Sequence, residues 1–303
     1  MSTTDDLSAP PRWRILLLGA TGLLGRAVAA ALQDGFEVMM PPRAQLDLLR
    51  AQEVAAFLRQ HRPAVVINCA GWSDVDGAQD HPEAAGALNH GAVAALVQAC
   101  DAAAASLIHF STDFVFDGRK TAAYTEADLP APLSVYGQSK LAGEQAVLAS
   151  AGAHLVLRVS WLYGPGGRNF FSQVRGWLQQ DRELRVVADQ VSVPNHVQPL
   201  AAALREVLAR AASERGDFLG RHRGLYHLSA SGQASRYEFA REAARALGDR
   251  AVARLLPVAA ASFPMKAERP AFSALSSRRF ERAFGIALAD WREAVRAAAP
   301  AGA

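Results

Sequence analysis

The apolar run Arg14–Leu18 passes with no spacer into Gly19-Ala20-Thr21-Gly22-Leu23-Leu24-Gly25, and an Ala- and Leu-rich stretch follows as far as Asp34. A short continuous apolar run ending in a glycine turn suits a strand that is covered on both faces, as in a parallel α/β sheet. The glycines fall where that strand must turn sharply and where its backbone must come close to a pyrophosphate. The helix that follows would present unpaired N–H groups and a positive dipole end to such an anion. Gly19, Thr21, Gly22, Leu23, Leu24 and Gly25 are therefore candidate dinucleotide contacts.

Further apolar runs at Glu37–Met40, Ala64–Asn68, Ser106–Phe110 and Leu155–Val159 alternate with helical patterns at Leu23–Asp34, Ala51–His61, Glu83–Ala103 and Gly137–Ala151. This alternation predicts βαβ units. The second half is more irregular and punctuated by proline, with strand-like Arg185–Ala188 and Gly224–Leu228 and helices near Phe170–Gln180, Leu200–Ala212 and Arg236–Leu247. The expected class is α/β: a doubly wound parallel Rossmann sheet with a smaller, mostly C-terminal α/β substrate lobe. Residues 1–12 read as a disordered leader and 13–165 as the dinucleotide-binding domain, to which a segment of about 189–222 returns. Residues 166–188 and 223–303 read as the substrate lobe.

Composition excludes several other classes. The 303 residues carry a net charge of +3, and 50% are hydrophobic, a balance that fits neither a disordered nor a collagen-like chain. Most of the 32 basic residues are scattered arginines, so nucleic acid is not an expected partner. Cys69 and Cys100 sit in apolar segments and read as small hydrophobes of a reducing compartment. The acidic N-terminus lacks the pattern of a signal peptide, and no apolar run approaches a membrane span. A cytoplasmic protein with no membrane partner is expected.

At the end of the second strand, Val38-Met39-Met40-Pro41-Pro42-Arg43 holds no carboxylate to receive a ribose 2′-hydroxyl, whereas Arg43 could pair with a 2′-phosphate. NADPH is thus favoured over NADH. Asp47, Leu48 and the loop Cys69-Ala70-Gly71 stand after strands two and three, where adenine and the cofactor ribose would lie.

Chemistry concentrates in Tyr136-Gly-Gln-Ser-Lys140 and in Ser111-Thr112-Asp113 at the end of the fourth strand. Side chains four apart on a helix share a face, so an ammonium beside the phenol would bring its pKa from near 10 towards working pH. Thr112, or Ser111, would complete a cradle for a carbonyl oxygen. Five tyrosines and three lysines in 303 residues make a chance Y-x-x-x-K expected only about 0.05 times. No H-x-H, H-x-x-x-H or C-x-x-C pair occurs, so no metal site is expected.

The G-x-x-G-x-x-G spacing resembles that of extended short-chain dehydrogenases. Together with Ser111-Thr112-Asp113-Phe114-Val115-Phe116-Asp117-Gly118, Val135-Tyr136-Gly137-x-Ser139-Lys140-Leu141-x-Gly143-Glu144 and Arg158-x-Ser160-Trp161-x-Tyr163-Gly164, it makes the chain resemble the dTDP-4-dehydrorhamnose reductase family from about residue 14 to 295. The resemblance implies Thr112, Tyr136 and Lys140 as the catalytic set, with Tyr136 and Lys140 also touching the cofactor. It implies Val75, Thr112, Asp113, Phe114, Trp161, Asn169 and Gln190 on the substrate side, a nucleotide-sugar substrate, and it leaves a homodimer open. Implied too is reduction of the C4 ketone of a dTDP-4-keto-6-deoxy sugar, with dTDP-4-dehydro-L-rhamnose first.

Phe114 replaces the family's usual Tyr, Asn195 its Thr and Glu268 its second Arg, while Gly77 and Gln79 replace Lys and Glu. These departures concern the sugar pocket and keep open a 4-ketoreductase for a different deoxysugar nucleotide. A non-catalytic NADP-binding regulatory subunit is a further alternative, opposed by the intact Thr112, Tyr136 and Lys140. An epimerase or dehydratase ranks lower, because no Asp-Glu pair follows Thr112.

Overall fold

The computed structural model describes residues 13–167, 169–178, 183–214, 217–248 and 254–299, so the expected leader over 1–12 lies outside the described residues. The first half runs β1 (Arg14–Leu18), α1 (Leu23–Leu32), β2 (Glu37–Met39), α2 (Ala51–His61), β3 (Val65–Asn68), α3 (Val75–Asp80), α4 (Pro82–Gly86), α5 (Ala92–Ala102), β4 (Ser106–Thr112), α6 (Val135–Ala149) and β5 (Leu155–Val159). The second half runs β6 (Leu162–Tyr163), α7 (Phe170–Leu178), β7 (Leu184–Val187), β8 (Val191–Ser192), β9 (Asn195–His196), α8 (Val197–Ser213), α9 (Phe218–Arg221), β10 (Gly224–His227), β11 (Ala234–Ser235), α10 (Arg236–Ala246), β12 (Leu255–Val258), α11 (Arg278–Phe284) and α12 (Trp291–Ala298).

Six parallel strands form the central sheet in the order β10-β5-β4-β3-β1-β2. Strand side chains alternate between faces, so Ile15 and Leu17 enter the core under α1 and α8, while Leu16 and Leu18 enter the opposite core under α2 and α5. Cover on both faces is why β1 reads as an unbroken apolar run. The strand order reverses between β1 and β3, and in open α/β sheets the crevice outside the carboxyl ends at such a switch point is where ligands bind. Gly19 and Cys69 leave the sheet there.

A second core gathers Tyr163, Phe171, Val186, Phe239, Leu255 and Trp291 from β6, α7, α10, α12 and the parallel pair β7–β12. The expected segmentation needs correction at two places. β10 and α11 lie within the 223–303 segment assigned to the lobe, yet β10 pairs with β5 as the edge of the central sheet, and Phe280 and Phe284 pack in the core beneath α8. Conversely, β8 and Val193 pack with the second core, while α8 packs in the core of the central sheet. The chain crosses between the two cores several times, and composition carries no mark of those crossings.

The helix expected over Glu83–Ala103 is also broken. A π-helical turn at Ala87–Gly91 separates α4 from α5; such turns recur near functional sites because they redirect one side chain.

Candidate active site

At the switch point the glycine turn lies backbone to backbone against the end of β3. Gly19 has φ +74°, and a Cβ there would sit 2.5 Å from the Ala70 nitrogen and 2.7 Å from the Cys69 carbonyl carbon. A Cβ on Gly25 would sit 2.1 Å from the Gly19 oxygen. Only glycine permits this approach. α1 then starts at Leu23 with Gly22 as its cap, no capping side chain and no acid in the first turn, so its first N–H groups are open to an anion. The turn thus fits a dinucleotide pyrophosphate. Leu24 and Leu48 are buried in the cores, which leaves only their backbones to face a cofactor. Arg26, which sequence reasoning missed, donates to the Thr21 carbonyl and, at 2.9 Å, to that of Gly166.

Arg43 is exposed beyond β2, with 77% of its side chain accessible, and touches Asp47 at 3.3 Å. The Leu49 N–H, followed by Arg43, holds the Asp47 carboxyl below the usual carboxylate range.

β4 ends at the buried Ser111 and Thr112, and α6 brings Tyr136 and Lys140 beside them. The Lys140 ammonium donates to the Phe110 carbonyl at 2.6 Å and lies 3.5 Å from His109 Nε2. His109 is fully buried, and its Nδ1 lies 3.2 Å from Asn68 Nδ2. Burial pulls Lys140 down to about 8, partly offset by Glu144 and Cys69. The expected lowering of the Tyr136 phenol by Lys140 does not appear. Burial pushes Tyr136 up to about 12, a hydrogen bond with Thr112 opposes that rise, and Asp113 adds to it. The Lys140 ammonium is spent on the Phe110 carbonyl, and burial is the larger influence on the phenol. Tyr136 therefore stays protonated as a donor across physiological pH.

The position of α6 is overdetermined. Ser134 caps it by accepting from Gly137 N at 3.2 Å, and Gln79 accepts from Val135 N at 3.3 Å. Asn89, carried by the π turn, accepts from Trp72 N at 2.8 Å and donates to Ser139 Oγ at 3.0 Å. A Cβ at Gly143 would lie 2.2 Å from the Asn89 oxygen, so that glycine lets the turn and α6 meet. Asn68, Asn89 and His109 were absent from the sequence-derived site. The buried polar position in the run VVIN was the only signal for Asn68, and nothing in the sequence marked the π turn.

On the substrate side the structure separates the expected residues. Val75 opens α3, which Asp76 ties to Arg269 at 2.7 Å. The Phe114 ring meets Tyr136 edge-on with centroids 5.8 Å apart. Trp161 has φ +37° and packs against Phe170 and Phe239, with the Arg236 guanidinium 5.6 Å from its ring. Two expectations change. Asn169 is buried and spends its side chain on the Gly164 and Gly167 carbonyls and Ser172 N, so it shapes the loop before α7. Asn195 is fully buried and joins Ser160, Val193, Ser229 and Ala230 across β5, β9 and β10, so its departure from Thr does not alter a sugar pocket. Asp113 is likewise enclosed by protein donors.

A cavity of about 520 Å³ lies beyond, lined by Phe170, Trp177, Gln190, Arg236, Phe263 and Arg269. Arg236, unmarked in the sequence, has no acidic partner among the described residues and lies 5.2 Å from the Phe170 ring.

A parallel sheet with its switch point between a glycine turn and β3, and a Thr, Tyr and Lys gathered at the end of β4, defines a nicotinamide-dependent reductase of the extended short-chain type. The model of the RmlD substrate binding domain matches residues 13–301, and the chain belongs to that family. It is 35% identical over 290 residues to a dTDP-4-dehydrorhamnose reductase of Burkholderia thailandensis, covering 93% of this chain and 96% of the relative. It is 38% identical over 298 residues to a probable dTDP-4,6-dihydroxy-2-methyloxan-3-one 4-ketoreductase of Streptomyces antibioticus, covering 95% of each. The solved dTDP-4-dehydrorhamnose reductase of Bacillus anthracis in complex with NADP superposes with a TM-score of 0.87 at 28% identity, covering 95% of this chain and 98% of that one.

Proposed function

We infer that the protein is an NADPH-dependent oxidoreductase that reduces the C4 ketone of a dTDP-4-keto-6-deoxy sugar, dTDP-4-dehydro-L-rhamnose giving dTDP-L-rhamnose. The carrying observation is the meeting of Thr112, Tyr136 and Lys140 beside the Gly19–Ala70 contact. When bound, NADPH supplies the hydride. Tyr136 gives its proton to the ketone oxygen, and Thr112 holds that oxygen by a hydrogen bond. Lys140 keeps one N–H on Phe110 and turns the others towards Gly71 and the cofactor ribose. Arg236 and Arg269 take the substrate diphosphate, and Phe170, Trp177 and Phe263 offer faces for its base.

No helix among the described residues is long and apolar enough to cross a membrane. We place the reaction in the cytoplasm, where a reductase meets its reduced cofactor.

One observation favours a second substrate. The Phe114 ring packed on Tyr136 brings no hydroxyl to the sugar, and a site reads hydroxylated substrates largely through such donors. Enzymatically generated dTDP-4-keto sugars, mixed with protein and NADPH, decide the matter by product identification. Formation of dTDP-L-rhamnose supports the first reading; NADPH consumed only with another 4-keto sugar supports the second. Tight NADPH binding with no consumption across the panel would overturn both.

A further inference from the structure

Asp113 is a buried acid beside the reacting groups to which the reduction above assigns no role, and only 3% of it is exposed. Its Oδ1 accepts from Thr112 Oγ1 at 3.2 Å, while its Oδ2 accepts from Ser192 Oγ at 2.8 Å and Ser273 Oγ at 2.5 Å. Ser192 lies on β8 and Ser273 follows Pro270, so both serines reach it from beyond the central sheet. They are uncharged, and the Tyr136 phenol on α6 is the titratable group facing it. Among the described residues no Arg or Lys pairs with it.

A threonine hydroxyl has one proton and two lone pairs. Thr112 Oγ1 already accepts from Phe114 N at 3.2 Å. While Asp113 is ionised, its Oδ1 and the Tyr136 oxygen already claim the single Thr112 proton, and none is left to offer a ketone oxygen. Turning that proton to the ketone would strip a buried carboxylate of one of its three hydroxyl donors, which is costly. A proton on Oδ1 removes the conflict.

We propose that Asp113 is a positioning residue that sets the direction of the Thr112 hydroxyl: in the reactive state Asp113 carries a proton on Oδ1 and donates it to Thr112 Oγ1, and the Thr112 proton turns to the ketone oxygen. The inference rests on the ketoreductase reading. Burial pushes the carboxyl up to about 6 against the three hydroxyls, so the reactive state is sampled near neutral pH.

The test is the pH profile of kcat between pH 5 and 8.5 with a dTDP-4-keto sugar and NADPH. Wild type should lose rate above the Asp113 ionisation, by up to about tenfold per pH unit. In Asp113→Asn the amide N–H₂ donates permanently to Thr112 while its carbonyl accepts from the serines. That limb should vanish, and the ratio of variant to wild-type kcat should climb about tenfold between pH 6 and 7.5. In a Thr112→Val background the same substitution should leave the profile unchanged, a result that a merely structural Asp113 would not give. Ser273→Ala, which removes one donor from the carboxylate, should move the wild-type limb to higher pH and serves if Asp113→Asn does not fold. An Asp113→Asn enzyme that keeps the wild-type limb, or is depressed equally at every pH, overturns the inference, as does an unmoved limb in Ser273→Ala. Absence of any ketone reduction by wild type would instead refute the reductase reading.

Discussion

Arg158 donates to both carboxylate oxygens of Glu144, at 2.9 and 2.6 Å, with no more than 2% of either side chain exposed. The pair bolts α6, which carries Tyr136 and Lys140, to the adjacent strand β5, and the guanidinium also lies 5.0 Å from the Phe116 ring. Removing one partner leaves an uncompensated buried charge, whereas removing both need not. Glu144→Ala should lose about 3–5 kcal/mol in urea unfolding, and Glu144→Leu combined with Arg158→Met should recover much of it. A single variant as stable as wild type would show that α6 is held by its other contacts alone.

Tyr136→Phe should lower turnover by about 10²–10⁴-fold, the usual value of a positioned proton donor. NADPH affinity, measured by fluorescence titration, should hardly change. A phenylalanine enzyme with wild-type turnover would move the proton donor elsewhere.

Arg43 lies free enough to leave Asp47 for a 2′-phosphate, since their 3.3 Å contact is solvent-exposed and such pairs contribute little. Wild type should bind NADPH more tightly than NADH, and Arg43→Ala should erase most of the difference, about 1.5–3 kcal/mol for a charge-assisted contact. Calorimetric titration of both nucleotides against both proteins checks it; equal wild-type affinities would leave Arg43 a surface residue.

Asp113 also predicts a stability change. Its folded carboxyl is raised from 3.8 to about 6, so the folded chain binds more protons than the unfolded one between those values. Its contribution is complete below the lower value and is lost as pH rises through the upper one, amounting to about 3 kcal/mol by pH 7. Asp113→Asn keeps the shape without the buried charge and should be the more stable protein at pH 7.5 by up to that amount. The advantage should shrink towards zero at pH 4. A gap that widens on acidification would contradict the sign.

Part of this site is legible residue by residue. The tight turn at Gly19 and Gly25 is legible because a backbone approach forbids any Cβ, and that demand is written into the glycines themselves. Asn169 and Asn195 are misjudged because an amide looks alike in sequence whether it meets a ligand or five protein groups. The bond from Lys140 to the Phe110 carbonyl has no sequence signal, since that carbonyl comes from β4, thirty residues before it. Asn89 goes unnoticed because a π turn alters register without any marker residue.

The sequence by itself determined the parallel sheet, the glycine turn at the end of β1 and the placing of Tyr136 and Lys140 one helical turn apart on α6, because strand burial, glycine geometry and four-residue helical spacing act over a few neighbouring residues. Only the tertiary structure decided that β10 closes the sheet edge, that Asp113 is enclosed by Ser192 and Ser273, and that burial raises Tyr136 while lowering Lys140. Those outcomes depend on which distant groups share a dry interior, where a proton's free energy is set by partners far away along the chain.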